Sequence, residues 1–290
     1  MKKYNNPRYY GSDAGHKGIM VAGFSDWVED SDIGAGTIEY IGQQCGAKLI
    51  AEIENHDYYI NSLPGNSELA IDSRATTTIA DGLIQSYDQP INKFYYAPKA
   101  DIVLFCGHEP QINWREYSRS FFDIIDKFRI KHIYNIAGRT GLTPHSRQPH
   151  ISAYVSDKCL LEKIIKANIK LSNYTGTASI NTYLTRGAKA RDVYMTNLTV
   201  DIPPYIEGRN PKSIEAVIRC LRILTGIKIE LKKLHSLIDE LDAKLDVAVQ
   251  DHEELNAQVK ALEEYYDTNM FENDMGDLKT WLVEKGITLD

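Results

Sequence analysis

The sequence has little of what most readily betrays a function. Among 290 residues there are four cysteines, Cys45, Cys106, Cys159 and Cys220, far apart and with no Cys-x-x-Cys pair. That argues against a disulfide framework or a cysteine zinc site, and reads as reduced thiols in a cytoplasmic protein. No apolar run approaches the roughly 20 residues of a membrane helix. The opening MKKYNNPRYYGSDAGHKG has lysines but no apolar core behind them, so a secretory signal is not expected. Complete phosphate loops are missing too. Gly34-Ala35-Gly36 and Gly138-Arg139-Thr140-Gly141 lack both the P-loop pattern and the dinucleotide fingerprint, and close helix–strand packing explains the first equally well. His56, His108, His145 and His150, with Asp57 or Glu109, could in principle suit zinc or manganese, but no zinc-motif spacing supports it. Neither a metal nor a cofactor is expected.

What remains is an ordinary globular composition, 43% hydrophobic and 25% charged, on a chain long enough for one large domain with an appendage. The net charge of −7 is unevenly spread: from residue 236 onward 15 acidic residues face 4 basic ones, while residues 1–235 carry +4. No basic stripe marks a nucleic-acid face, and an acidic tail repels phosphate backbones. Neither nucleic acid nor membrane is an expected partner.

Hydrophobic patterning supplies the architecture. Residues 19–24 (IMVAGF) read as a buried strand, 34–44 as a helix opening on small residues, and 48–53 as a second strand, an order that suggests a βαβ unit and a parallel sheet. A β-like stretch follows at 76–79 and 92–96. Strands are expected at 101–106, 131–137, 151–155 and 193–201. Trp114, Tyr117, Phe121, Ile124, Ile125 and Phe128 recur at helical spacing. Further helices are expected at 158–167, from the Thr175-Gly176 region to about 186, and from Pro211 to 224. Beyond 229 the apolar spacing becomes 4, 3, 4 (Leu234, Ile238, Leu241, Leu245, then Leu255, Val259, Leu262, Tyr266). It predicts a helical hairpin over about 230–249 and 251–267, with a further short helix over 277–285.

The stretch 101–114, DIVLFCGHEPQINW, ends a buried strand in Gly107-His108-Glu109-Pro110. Open α/β sheets keep ligand crevices at such carboxyl ends. His108 and Glu109 could bind a ligand there or act as base and orienter; alternatively Glu109 caps a helix or pairs with an arginine such as Arg115 or Arg119. Pro144-His145-Ser146-Arg147 follows another strand, with Arg147 suited to a bidentate anion contact and His145 to proton exchange with a ligand; the alternative is a loop anchored to its own or a neighbouring subunit. Thr175-Gly176-Thr177 could hold an anion or simply cap a helix.

An ordered set of landmarks carries a resemblance. Gly23-Phe24-Ser25-Asp26 precedes Gly34-Ala35-Gly36; His56-Asp57-Tyr58-Tyr59 comes before Pro64; Gly107, Glu109, Pro110 and Trp114 close the apolar strand. Then come Pro144-His145-Ser146-Arg147, Tyr174-Thr175-Gly176, Ile202-Pro203-Pro204-Tyr205, Leu224-Thr225-Gly226 and Leu262-Glu263-Glu264-Tyr265-Tyr266-Asp267. Over roughly residues 18–268 the chain resembles the proteasome assembly chaperone 2 family in its bacterial and archaeal branch. Residues 27–33 look like extra residues after the first strand, leaving Asp26, Asp30 and Asp32 competing for the family's first acidic position. Archaeal chaperones resembling this family can dock on proteasome rings through a hydrophobic–Tyr–any-residue tail, whereas this chain ends Gly286-Ile287-Thr288-Leu289-Asp290, which argues against that mode.

The resemblance implies a purine-nucleoside-phosphorylase-like fold: a three-layer α/β/α sandwich with a mostly parallel sheet, a C-terminal helical hairpin, and self-association. The expected organisation is an N-terminal arm (1–17), a core (18–228) and an acidic helical extension (229–290). The leading functional expectation is a non-enzymatic assembly chaperone or protein-interaction protein, a homo-oligomer with a client such as proteasome-like subunits. The alternative is an enzyme or sensor binding a small anionic or nucleotide-like molecule near Glu109 and His145. The ligand-binding candidates are Asp26, His108, Glu109, His145, Arg147, Thr175 and Tyr205; no catalytic residue is assigned.

Overall fold

Alternation decides the layers. In the first long strand, β2 (Ile19–Ser25), Met20, Ala22 and Phe24 enter one apolar cluster and Val21 the other, as a strand with both faces covered requires. A computed structural model describes residues 7–11, 16–25, 32–54, 57–60, 76–90 and 92–284 of the chain. After β1 (Arg8–Tyr9) and β2 come α1 (Ile33–Cys45), β3 (Lys48–Glu52), β4 (Thr76–Ala80), β5 (Leu83–Asp88), β6 (Asn92–Ala97), β7 (Ile102–His108), α2 (Trp114–Lys127), β8 (His132–Thr140) and β9 (Ile151–Val155). A single 3₁₀ turn then leads into α3 (Leu161–Lys166), followed by β10 (Lys170–Leu171), α4 (Ile180–Lys189), β11 (Tyr194–Ile202), α5 (Pro211–Thr225), α6 (Lys232–Asp251) and α7 (Glu253–Glu284).

Among the described residues nine strands form one sheet in the order β1-β3-β6-β7-β2-β8-β11-β9-β10. Its centre, β7-β2-β8-β11, is parallel. The flanks join antiparallel, through β6 on one side and β9 on the other. One face carries α1 and α5 over Val21, Leu104, Ile136 and Leu198. The other carries α2 and α4 over Phe24, Phe105, Ile133 and Met195. This is the three-layer α/β/α sandwich, with α6 and α7 as the C-terminal helical hairpin.

The expected βαβ unit is corrected in one respect. The strands β2 and β3 point the same way but are not neighbours, because the β6–β7 hairpin inserts between them. Short strands at 8–9, 83–88 and 170–171 join those foreseen. A second correction concerns the end of the chain: α7 runs unbroken to Glu284, through Gly276, where a separate short helix was expected. A single helical Gly costs only about 1 kcal/mol. Among the described residues no helix is long and apolar enough to cross a membrane.

At the opening of α1, a Cβ on Gly23 would lie 2.5 Å from the carbonyl carbon of Gly34, and one on Gly34 would lie 3.0 Å from the Ile136 carbonyl oxygen. Backbone of helix and strands therefore touch there, so close packing accounts for the small residues. The second glycine-rich motif is no loop either. Gly138, Arg139 and Thr140 lie in β8, and Arg139 pairs with its cross-strand neighbour Asp201 at 2.6 Å.

Candidate functional site

The carboxyl ends of the parallel strands gather both sequence motifs on one edge. At the end of β7, the 57–60 segment folds over the turn that follows. The Gln111 and Ile112 N–H groups donate to the Tyr58 carbonyl at 2.9 and 3.2 Å. The Ile60 N–H donates to Gln111 Oε1 at 2.5 Å, and Asn113 Nδ2 to the Asp57 carbonyl at 2.7 Å. Beneath this lid runs a buried relay. The Tyr117 hydroxyl donates to Asn92 Oδ1, Asn92 Nδ2 donates to the Tyr59 oxygen, and the Tyr59 hydroxyl donates to the His108 carbonyl, each at 2.8 Å. Burial pushes the Tyr59 and Tyr117 phenols well above their ordinary range, so both stay neutral donors. Two sequence landmarks, Asp57-Tyr58-Tyr59 and Gly107 to Trp114, are thus halves of one packed unit.

Glu109 is held by a distant element. Its Oε1 accepts the Ile180 N–H, at the first turn of α4, at 2.7 Å. A carboxylate there answers an orphan donor and the positive end of the helix dipole. The helix is also capped by Ser179, whose side chain accepts the Thr182 N–H in a capping box. Helix α4 therefore opens at Ile180 rather than at Thr175. Thr175 is exposed in the preceding segment, and the Tyr174 hydroxyl turns back to the Thr177 carbonyl at 3.1 Å.

The Pro144 to Arg147 loop is gripped by the C-terminal helices. His145 is buried; its N–H donates to the Tyr205 oxygen at 2.8 Å, and its Nδ1 lies 2.7 Å from the same oxygen. Its carbonyl accepts from Lys212 Nζ, which also reaches Asp242 of α6 at 2.8 Å. Arg147 makes a two-pronged contact with Asp267 of α7, at 2.9 and 2.8 Å, and lies 3.5 Å from Glu263. That pairing lowers the Asp267 carboxyl and raises the Arg147 guanidinium. Ser146 bonds Glu263. Next door, the Tyr266 ring stacks on His150 with centroids 4.5 Å apart and planes 6° apart, and its hydroxyl donates to the Gln148 carbonyl at 3.0 Å.

The two motifs thus share an edge but not partners. β2 stands between β7 and β8; Glu109 serves α4, whereas His145 and Arg147 serve α5, α6 and α7. Asp26, Asp30 and His56 lie outside the described residues. Asp32 is paired with Arg209 at 3.2 Å, and Arg209 also meets Glu39. Sequence reasoning missed Arg209 and Asn92, whose neighbours come from remote segments. Cys106 sits beside this cluster; burial, reinforced by Asp32 and Glu39, pushes its thiol up to about 11, against use as a thiolate nucleophile. Among the described residues no three of His, Cys, Asp and Glu come together as metal ligands.

Comparison with known proteins places this architecture. The sequence matches the profile of the PAC2 family over residues 24–249. No curated protein matches. Among solved structures, a Mycobacterium tuberculosis protein of unknown function, Rv2714, superposes with a TM-score of 0.79 at 16% identity, covering 96% of this chain and 94% of its own. The Mycobacterium tuberculosis proteasome-assembly chaperone homologue Rv2125 gives 0.71 at 19% identity, covering 83% and 99%. Pyrococcus furiosus PbaB, an archaeal proteasome activator, gives 0.63 at 16% identity, covering 84% and 98%. At these identities the likeness is one of fold.

Proposed function

Because the chain belongs to the PAC2 family, we propose that it acts as a non-enzymatic assembly factor of the proteasome-assembly-chaperone type, self-associating and binding subunits of a larger ring-forming protein. The observation that carries this is the β4–β5 hairpin. It forms a two-stranded sheet apart from the nine-stranded one, and exposes Ile79, Leu83, Ile84 and Tyr87 at 64%, 66%, 70% and 64%. An isolated hairpin is marginal in water, and so dense an apolar display marks an interaction surface. The hairpin serves as an arm laid against a second copy. The relatives add support: PbaB is described as a proteasome activator and Pyrococcus furiosus PbaA as an archaeal homologue of proteasome-assembly chaperone.

The competing reading, a ligand crevice at Glu109 and His145, draws less support because both side chains are engaged within the chain. Crosslinking in native lysate followed by mass spectrometry tests the proposal. It expects lysines of this chain joined to subunits of one ring-forming protease. Crosslinks scattered over unrelated abundant proteins would overturn it.

A further inference from the structure

The sheet face under α4 carries a polar layer that neither the hairpin arm nor the strand-end motifs use. Asn135 of β8 and Asn197 of β11 are cross-strand partners. By alternation both point toward α4, since Ile133 and Met195, two residues before them, pack in the cluster beneath that helix. Asn197 Nδ2 donates to the Thr185 hydroxyl of α4 at 2.8 Å, and that hydroxyl donates to the Asn181 carbonyl at 2.7 Å. With its one proton engaged, Thr185 can only accept from Asn197, so the Asn197 oxygen is turned away. Ser152 of β9 lies on the same face, because Ala153 beside it packs in the opposite cluster. Among the described residues the side-chain oxygens of Asn135, Asn181, Asn197 and Ser152 have no hydrogen-bond partner, and each residue is more than nine-tenths buried. Unpartnered buried acceptors are rare in folded proteins and each costs stability, so four on one side of a sheet require a cause.

Ala137 and Thr199 form the next cross-strand pair on this face toward the carboxyl ends, and Ser152 pairs with Thr199 across β9 and β11. Ala137 and Thr199 are only half-buried. Small side chains there leave the middle of the sheet partly open. Helix α4 runs back along the strands, with its first turn held at the carboxyl end of β7 by Glu109. Asn181 lies one turn, about 5.4 Å, before Thr185, so it stands over Thr199 rather than over Asn197. Strands about 4.8 Å apart, and alternate residues about 6.6 Å apart, then set the four unpartnered oxygens around one small floor. Open α/β sheets take ligands at this position, the carboxyl ends of parallel strands. Three amide oxygens and a hydroxyl call for hydrogen-bond donors and repel an anion. The next charged pair along the face, Arg139 and Asp201, is closed on itself at 2.6 Å, so no spare negative charge offsets the cost of burying a cation. A molecule with several hydroxyls and no charge meets both conditions.

We infer that the crevice over Ala137 and Thr199, at the amino end of α4, binds an uncharged polyhydroxyl compound whose hydroxyls donate to Asn135, Asn181, Asn197 and Ser152. The compound is either a free sugar or the sugar unit of a larger molecule.

Nuclear magnetic resonance titration of the full-length protein with ribose, glucose and their methyl glycosides tests this, with phosphate and methylammonium as charged comparators. At least one sugar should move the side-chain amide signals of Asn135, Asn181 and Asn197, and neither ion should. Asn181→Leu and Ser152→Ala should each weaken that sugar about fivefold, as the loss of one neutral hydrogen-bond partner predicts. Ser236→Ala, at an exposed position of α6, should leave it unchanged. Asn181→Leu replaces an unpaired buried oxygen by an apolar group of similar size, so its thermal melt should be unaltered or higher; Ser152→Ala, which only removes an atom, gives the same test should the larger change disturb packing. A methyl glycoside that acts as its parent sugar does identifies the sugar unit of a larger molecule; loss of the effect identifies a free sugar. Asparagine signals unmoved by every sugar, moved instead by phosphate or methylammonium, or moved with equal affinity in Asn181→Leu and Ser152→Ala would overturn the inference.

Discussion

Tyr266→Ala should release the C-terminal hairpin from the core without unfolding the sheet. Tyr266 is 8% exposed, its ring flat on His150 and its hydroxyl on the Gln148 carbonyl. A buried aromatic covers roughly 150–250 Å², which at about 25 cal/mol per Å² is worth about 4–6 kcal/mol as an upper bound. Truncation to Ala in a packed site costs about 3–5 kcal/mol. A loss of about 3 kcal/mol in local docking multiplies the open population about 150-fold. Tyr266→Phe keeps the ring and gives up one hydrogen bond, about 1 kcal/mol or fivefold. Native-state hydrogen exchange reads both: amides of α7 before residue 268 should exchange faster by about these ratios, and those of β2, β7 and β8 should not. Unchanged α7 protection in Tyr266→Ala would refute the view that the loop at 144–150 holds the hairpin.

Three further outcomes are expected. Tyr117→Phe removes a buried donor from the relay under the His108 carbonyl and should cost about 1–3 kcal/mol, lowering Tm by roughly 2–4 °C per kcal/mol; an unchanged melt would show that the relay contributes nothing. Burial, with Lys163 adding, pulls His132 down to about 4, and burial also lowers His150. Both are neutral in the fold while the unfolded chain takes up protons near pH 6.5, so stability is full above that value and falls as pH drops from about 6.5 toward 4, by about 3 kcal/mol for His132. Thermal melts across this window should slope less in His132→Gln, and an identical slope would assign the loss to other groups. Glu109→Gln should weaken the α4 N-terminus by about 0.3–1 kcal/mol, seen as faster exchange at Ile180 and Asn181. If instead α4 is unaffected and the variant abolishes a nucleoside- or phosphate-induced thermal shift, the crevice reading gains over the capping one.

How much of this was legible depended on sequence distance. The buried strands, the amphipathic α2 and the paired C-terminal helices announce themselves through local periodicity. The place of β3 does not, because strand order depends on the β6–β7 hairpin inserted later in the chain. His108, Glu109, His145 and Arg147 were chosen for their position at strand ends, and that position is where the structure puts the first two and the loop after β8. Their partners were not legible: Ile180 lies 71 residues from Glu109 and Asp267 lies 120 from Arg147. The same stretch, Pro144 to Arg147, reads equally as a ligand loop or an anchored loop until α7 is seen packed on it. The apolar hairpin at 76–88 was half seen, since exposed Leu83 and Ile84 sit in a strand whose partner is itself solvent-facing.

Sedimentation of the full-length protein and its Ile79→Lys/Ile84→Lys variant tests the central claim, that the outlying hairpin is a protein-binding arm. These side chains meet solvent in the single chain, so the substitution should leave the fold and its thermal melt intact. The unaltered protein should be an oligomer at micromolar concentration and the variant a monomer. A protein that is monomeric before substitution, or an oligomer indifferent to it, would show that the hairpin is not such an arm.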